Sequence, residues 1–202
     1  LLANNGYLTG FGYYRRHLIP VITWGSMTRQ LTDDEAATIG GPLTWGVIPS
    51  APSGTTVRRL PDDRILVRNV YSYSRHSLAG GRKRDRAGRS HRRAFEARFP
   101  TLTHVSFEYT WGGPLSMARN GEPVFGKLKD GVYAACVHNG TGLSRGTICG
   151  KLIAEMMCGM DSGLLEAMIG RGRPNRNAPD PILGWGVDLY AQRLRLRSGR
   201  EM

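Results

Sequence analysis

The sequence predicts an α/β chain, α+β in arrangement, in which a mixed β-sheet precedes a strand–turn–helix unit. Three observations carry this expectation. Short β-branched runs punctuated by turn residues fill residues 18–73. A continuous apolar strand (GVYAACV, 131–137) runs into the polar, glycine-containing turn HNGTG. An apolar stripe of helical period follows, made by Ile148, Leu152, Ile153, Met156 and Met157.

Taken in order, residues 18–23 (LIPVIT) read as a strand. Thr32 with Glu35 three positions on opens a short helix, and Gly40-Gly41-Pro42 closes it. Residues 55–60 and 64–70 form a hairpin around Pro61-Asp62-Asp63, both aspartates being turn residues rather than acid–base catalysts. In its second arm Ile65, Val67 and Asn69 share one face, and Leu66, Arg68 and Val70 the other. Tyr71 and Tyr73 also share a face. Residues 79–90 read as a Gly- and Arg-rich loop entering a helix over about 90–99 that Pro100 ends. A strand over 103–111 ends in a Gly112-Gly113-Pro114 turn, and Asn120-Gly121-Glu122-Pro123 makes another. Residues 124–126 and 131–137 are strands, and a helix spans about 143–158 with Gly159 beyond it. Gly142, Gly146 and Gly150, four apart, align on one face. Residues 171–185 (RGRPNRNAPDPILGW) read as an extended arm.

The chain has 202 residues and a formal charge of +12, with 40% hydrophobic and 22% charged residues, the balance of a soluble globular protein. No run of eighteen apolar residues predicts a membrane span. The opening residues lack the basic start, apolar stretch and cleavage site of a signal peptide, and lack an initiator Met; they read as the interior of a longer sequence. Cys136, Cys149 and Cys158 are odd in number and match no zinc spacing, so free thiols in the cytoplasm, and no metal, are expected. The basic excess is uneven. Residues 82–93 carry seven Lys or Arg against Asp85 alone. No aromatic residue is interleaved there, as single-strand readers require, so a solvated helix face is the expected reading and nucleic acid is not an expected partner.

A helix N-terminus offers unpaired N–H groups and the positive end of a dipole, and glycines before it let a ligand approach closely. Residues 140–144 therefore suit a polar acceptor or an anion. Several segments resemble the closing section of the D-amino-acid oxidase, glycine oxidase and sarcosine oxidase family of flavoproteins, most nearly its γ-glutamylputrescine-oxidase-like branch. They are LANNGY (2–7), HLIPV (17–21), LPDDRIL (60–66), Phe99-Pro100 with TWGG (110–113), NGEPVFG (120–126), and residues 131–159. The order and spacing of these motifs, covering most of residues 1–160, make the resemblance.

The resemblance implies residues 1–20 as the end of an FAD-domain segment, 21–110 as a substrate-binding β-sheet domain, 111–160 as the closing FAD-domain segment, and 161–202 as an extended basic arm. It implies oxidation of a C–N bond in a small amine or amino acid, with hydride passing to noncovalent FAD. Asn139, Gly140, Thr141, Gly142, Leu143 and Ser144 would meet the flavin. Trp111, Gly112, Tyr71 and Tyr73 would line the substrate, although packing explains Tyr71, Tyr73 and Trp111 as well. His138 fits a satisfied polar group better than a flavin contact. No residue is identified as catalytic, since a neutral amine needs no general base to deliver hydride. The family's GxGxxG phosphate-binding βαβ unit is absent, which implies a C-terminal fragment, inactive alone, that holds FAD weakly without an N-terminal portion or a partner subunit. No cysteine lies near Trp111–Gly113 for a covalent link. Pro114-Leu115 stand where amino-acid oxidases often place an Arg, leaving Arg64, Arg68 or Arg119 for a carboxylate. The rival reading is a non-catalytic basic module that binds nucleic acid or an acidic partner through residues 82–93.

Overall fold

The computed structural model describes residues 1–75 and 80–202. The chain divides into two compact units, Leu1–Val21 with Leu115–Gly184, and Ile22–Pro114 with Trp185–Met202.

The second unit is built on a sheet of strands β1 (Leu18–Thr28), β2 (Trp45–Val47), β3 (Thr56–Arg59), β4 (Ile65–Arg68), β5 (Tyr71–Tyr73) and β6 (Phe107–Ala118), with residues 18–21 of β1 and 115–118 of β6 belonging to the first unit. Its order is β2-β3-β4-β1-β5, with β6 also pairing β1. The hairpin is as the sequence predicts: β3 and β4 are antiparallel in the register Arg59↔Ile65 to Thr56↔Arg68. Asp63 takes the positive φ (55°) that its tight turn needs, and its carboxylate receives the buried Arg59 at 2.7 Å. Ile65, Val67 and Asn69 point inward, as their alternation requires.

Helix α1 (Asp33–Ile39) opens with a full capping box: Thr32 accepts from Glu35 N, and the Glu35 side chain accepts from Thr32 N. Such a cap contributes about 1 kcal/mol. Helix α2 (Gly81–Arg98) packs Ala87, His91, Ala94 and Phe95 inward, at the i, i+4, i+7, i+8 spacing of one helical face. Ala94 and Phe95 join a core with Val57, Ile65, Val67, Leu102 and Val105, with Phe95 at 5.2 Å from Phe99 and 5.5 Å from Phe107, while Ala87 packs with Ile22, Trp24 and Val70.

Two expectations for this unit are corrected. The basic stretch is not a loop: α2 begins at Gly81, nine residues earlier than its sequence suggests, because burial of Ala87 and His91 overrides the glycines (residue 79 of the expected loop lies outside the described residues). Nor do Gly112-Gly113-Pro114 turn the chain. They lie within β6, where pairing with β1 holds them extended and Thr23 Oγ1 donates to Gly113 O at 3.3 Å.

The first unit holds the hairpin of β7 (Val124–Lys129) and β8 (Val132–Cys136), the helices α3 (Gly142–Met157) and α4 (Gly163–Ile169), and a 3-10 turn at Asn5–Phe11. Leu2 adds a parallel bridge to Ala134. Leu8, Leu18, Ala118, Val124, Ala134, Cys136 and Val137 form one core cluster, and Ala135, Cys149 and Ile153 another. All three cysteines are free, with Cys158 exposed.

The expected extended arm after residue 160 is also corrected. Ser162 caps α4 by accepting from Leu165 N, and α5 (Ile182–Ser198) is a long helix. Proline, asparagine and arginine at 173–181 hid both, since they disfavour helix only in the connecting segment itself. In that segment Asn177 N donates to Arg16 O at 2.6 Å, so the connection is tied back along the first unit. Among the described residues no helix is long and apolar enough to cross a membrane.

Candidate functional site

The strand–turn–helix at residues 132–157 is formed as the sequence predicts. Strand β8 is buried at Ala134, Ala135 and Cys136. The chain then turns through three left-handed residues, Val137 (φ 62°), Asn139 (φ 53°) and Gly140 (φ 86°). Left-handed backbone costs a β-branched residue like Val137 about 1–2 kcal/mol, which the packed surroundings must hold in place.

Asn139 does the holding. Its Oδ1 accepts from Ala118 N at 2.6 Å, and its Nδ2 donates to Gly121 O and Val137 O at 3.0 and 3.1 Å. Its side chain is thereby spent on backbone, so only its main chain is open to a ligand. Thr141 Oγ1 donates to His138 O at 2.8 Å instead of capping the helix, and no side chain caps α3. Gly142, Leu143 and Ser144 all face solvent, Leu143 at 91% exposure. Their N–H groups are the first of the helix and have no intrahelical acceptor, the first such bond running from Arg145 N to Thr141 O. A Cβ at Gly142 or Gly150 would meet nothing within 4 Å, whereas at Gly146 it would lie 3.7 Å from the His138 ring. The glycine face of α3 is therefore open at both ends and closed by His138 at its centre.

His138 departs from the satisfied role that its sequence position suggests. Its Nδ1 is buried without a hydrogen-bond partner. Burial, and then the positive Arg145, push the imidazole below its ordinary pKa. Only the local fold reveals this, because a lone His after a strand has no sequence signature of its surroundings.

The residues expected to line a substrate lie in the second unit. Trp111 stands on β6 at 43% exposure, with its indole against the backbone of Gly25: a Cβ there would fall 3.1 Å from Cζ2. Gly112 follows it and is half-buried. Tyr71 and Tyr73 flank Ser72 on β5 and are both half-buried. Burial raises the Tyr71 phenol above its usual range, and Arg195 donates to Tyr71 O at 3.2 Å. Trp24 Nε1, at 3.1 Å from Ser72 Oγ, pins the strand between them. Of the three candidate carboxylate-binding arginines, Arg64 is engaged by Asp62 and Glu108 and donates to Thr28 O at 2.9 Å. Arg68 and Arg119 are exposed.

Residues 1–156 match the family model described as FAD dependent oxidoreductase. The chain belongs to this family. The Probable oxidoreductase OrdL of Haemophilus influenzae is 35% identical over 66 residues, 33% of this chain and 15% of that protein. Among solved structures, glycine oxidase from Geobacillus kaustophilus matches with a TM-score of 0.60 at 16% identity, over 74% of this chain and 37% of its own. L-proline dehydrogenase from P. horikoshii matches at 0.64 and 16% identity, over 81% and 44%. These are likenesses of fold, and the chain spans less than half the length of either structure.

The donor set at α3 fits the part of FAD that carries polar acceptors. Unspent N–H groups at residues 142–144, exposed and free of an intervening Cβ at Gly142, suit a carbonyl that becomes more negative on reduction. No GxGxxG segment is present to cradle the pyrophosphate.

Proposed function

We propose that this chain is the ring-binding and substrate-binding portion of an oxidoreductase that oxidises a C–N bond in an amine or amino acid with noncovalent FAD. The uncapped, glycine-preceded N-terminus of α3 carries the reading. Bound there, FAD would accept hydride from the substrate carbon. Backbone N–H groups of Gly142, Leu143 and Ser144 would hold the pyrimidine carbonyl and stabilise the charge it gains, as oxyanion-hole donors do. Gly140 lets the main chain reach that position, and Asn139 keeps it rigid through its three hydrogen bonds.

On the substrate side, Trp111 presents an aromatic face suited to a cationic or neutral amine, with Tyr71 and Tyr73 as further walls. All three cysteines lie on β8, on α3 or just after α3, and none follows Trp111 closely in the chain, in keeping with noncovalent flavin. The phosphate-binding part would come from polypeptide beyond these residues or from a partner subunit.

The test is to express the chain with whatever coding sequence adjoins Leu1 and to record its visible spectrum. Flavin bands near roughly 370 and 450 nm that bleach anaerobically on adding an amine support the proposal. A yellow protein bleached only by hydroxy acids or alcohols rejects C–N oxidation. A folded, colourless protein that takes up no FAD rejects the flavin site.

A further inference from the structure

The strongest charge feature of the molecule has no part in the proposed oxidation. Helix α2 places Arg82, Arg86, Arg89 and Arg93 at i, i+4, i+7 and i+11, one stripe along about 17 Å of helix. All four are exposed, on the side opposite the buried Ala87, His91, Ala94 and Phe95. Among the described residues none of the four makes an ion pair. The charges that flank them are engaged: Arg84 pairs with Asp85, Arg92 with Glu96, and Lys83 donates to Tyr73 O at 2.6 Å.

Helix stability does not explain this stripe. Like charges three and four residues apart are mutually destabilising. The first turn of α2 holds no acidic residue, and Arg82 stands at the positive end of the dipole. The stripe is therefore a local cost that an external anion would offset.

The side chains also narrow the choice of anion. Arginine forms paired hydrogen bonds to phosphate, and all four members are arginine. The exposed large apolar side chains of the molecule do not include any on α2, so the helix has nothing to insert into a lipid surface. It likewise presents no exposed aromatic anchor, so a protein partner would have to be held by charge alone. The absence of stacking residues removes single-strand recognition. What remains is a regularly spaced row of phosphates met from outside. We propose that the Arg82–Arg86–Arg89–Arg93 face of α2 docks on the phosphate backbone of duplex nucleic acid, without reading its sequence.

The experiment uses the full chain, a fluorescein-labelled 30-base-pair DNA duplex of mixed sequence, and anisotropy across a salt series. Four phosphates neutralised at about −0.9 each give a log–log salt slope of about −3.6, so affinity should fall about 150-fold between 50 and 200 mM salt. The variant R82Q/R86Q/R89Q/R93Q should lose this binding, and R86Q/R93Q should retain a slope of about −1.8. The two-site variant is the readable test should the four-site one misfold. R58Q/R193Q/R197Q/R200Q, which has the same net charge as the four-site variant, should bind as the parent does. Equal loss in that control would overturn the proposal as a general charge effect. So would preferential binding of polyglutamate, or capture by phosphatidylserine vesicles with no duplex binding.

Discussion

Mild acidification should cost this protein stability through His91. The side chain is fully buried on α2, with Nδ1 at 2.7 Å from Ser26 Oγ and Nε2 without a partner. Ser26 in turn shares a hydrogen bond with Thr110 at 2.9 Å, so the imidazole can stay neutral but has no acid near it to compensate a charge. Burial lowers its pKa from 6.5 to about 4. As pH falls through this window the unfolded chain takes up a proton that the folded chain refuses, and the folded state loses stability. Above pH 6.5 the neutral histidine carries no penalty; below pH 4 both states are protonated and the loss stops growing. At 1.36 kcal/mol per pH unit the full loss is about 3 kcal/mol, of which about 2.5 should be present at pH 4.5. Urea unfolding of the parent and of His91→Gln at pH 7.5, 6.5, 5.5 and 4.5 reads the effect. The variant cannot titrate at this position and has a flatter profile, whereas carboxylates and the other histidines cancel in the difference. Parallel stability–pH curves for the two proteins would refute the reasoning.

Three further substitutions test the local accounts. Gly6→Ala would put a Cβ 1.7 Å from Ser116 Oγ and 2.8 Å from its Cβ, so it should destabilise by about 1–3 kcal/mol in urea, and Ser116→Gly in the same chain should restore most of that loss. Asn139→Ala removes the hydrogen bonds to Ala118, Gly121 and Val137 and should cost about 2–4 kcal/mol, with hydrogen exchange at Ala118 N–H rising before global unfolding. Asn177→Leu should be neutral or stabilising in thermal denaturation, because both polar atoms of this buried amide lack partners; a loss beyond about 2 kcal/mol would mean that the amide is satisfied after all.

Much of the fold was legible because it rests on local chemistry. The 55–70 hairpin follows from Pro61-Asp62-Asp63 between alternating residues, and α1 from the reciprocal bonds of Thr32 and Glu35. The β8–turn–α3 junction follows from a buried strand that ends where glycines and polar residues begin. The place of the candidate residues at a helix start was legible in the same way. Residues 139–144 stand at the helix start that the sequence marks, yet the division of labour among them was not visible. That Asn139 clamps backbone while Gly142, Leu143 and Ser144 keep their N–H groups open depends on Ala118 and Gly121, about twenty residues away.

Local chemistry along the chain sets the elements whose ends are fixed by sequence neighbours, and it also concentrates positive charge at residues 82–93. Elsewhere packing between distant segments outweighs local propensity. Helix α2 extends back to Gly81 because its inner face finds a core, and this extension aligns four arginines into one stripe. Strand β6 runs through Gly112-Gly113-Pro114 because β1 pairs with it. His91 carries its depressed pKa because residues distant in the chain bury it beside Ser26. In each case the deciding energy comes from contacts of long sequence separation, to which periodicity and turn chemistry are blind.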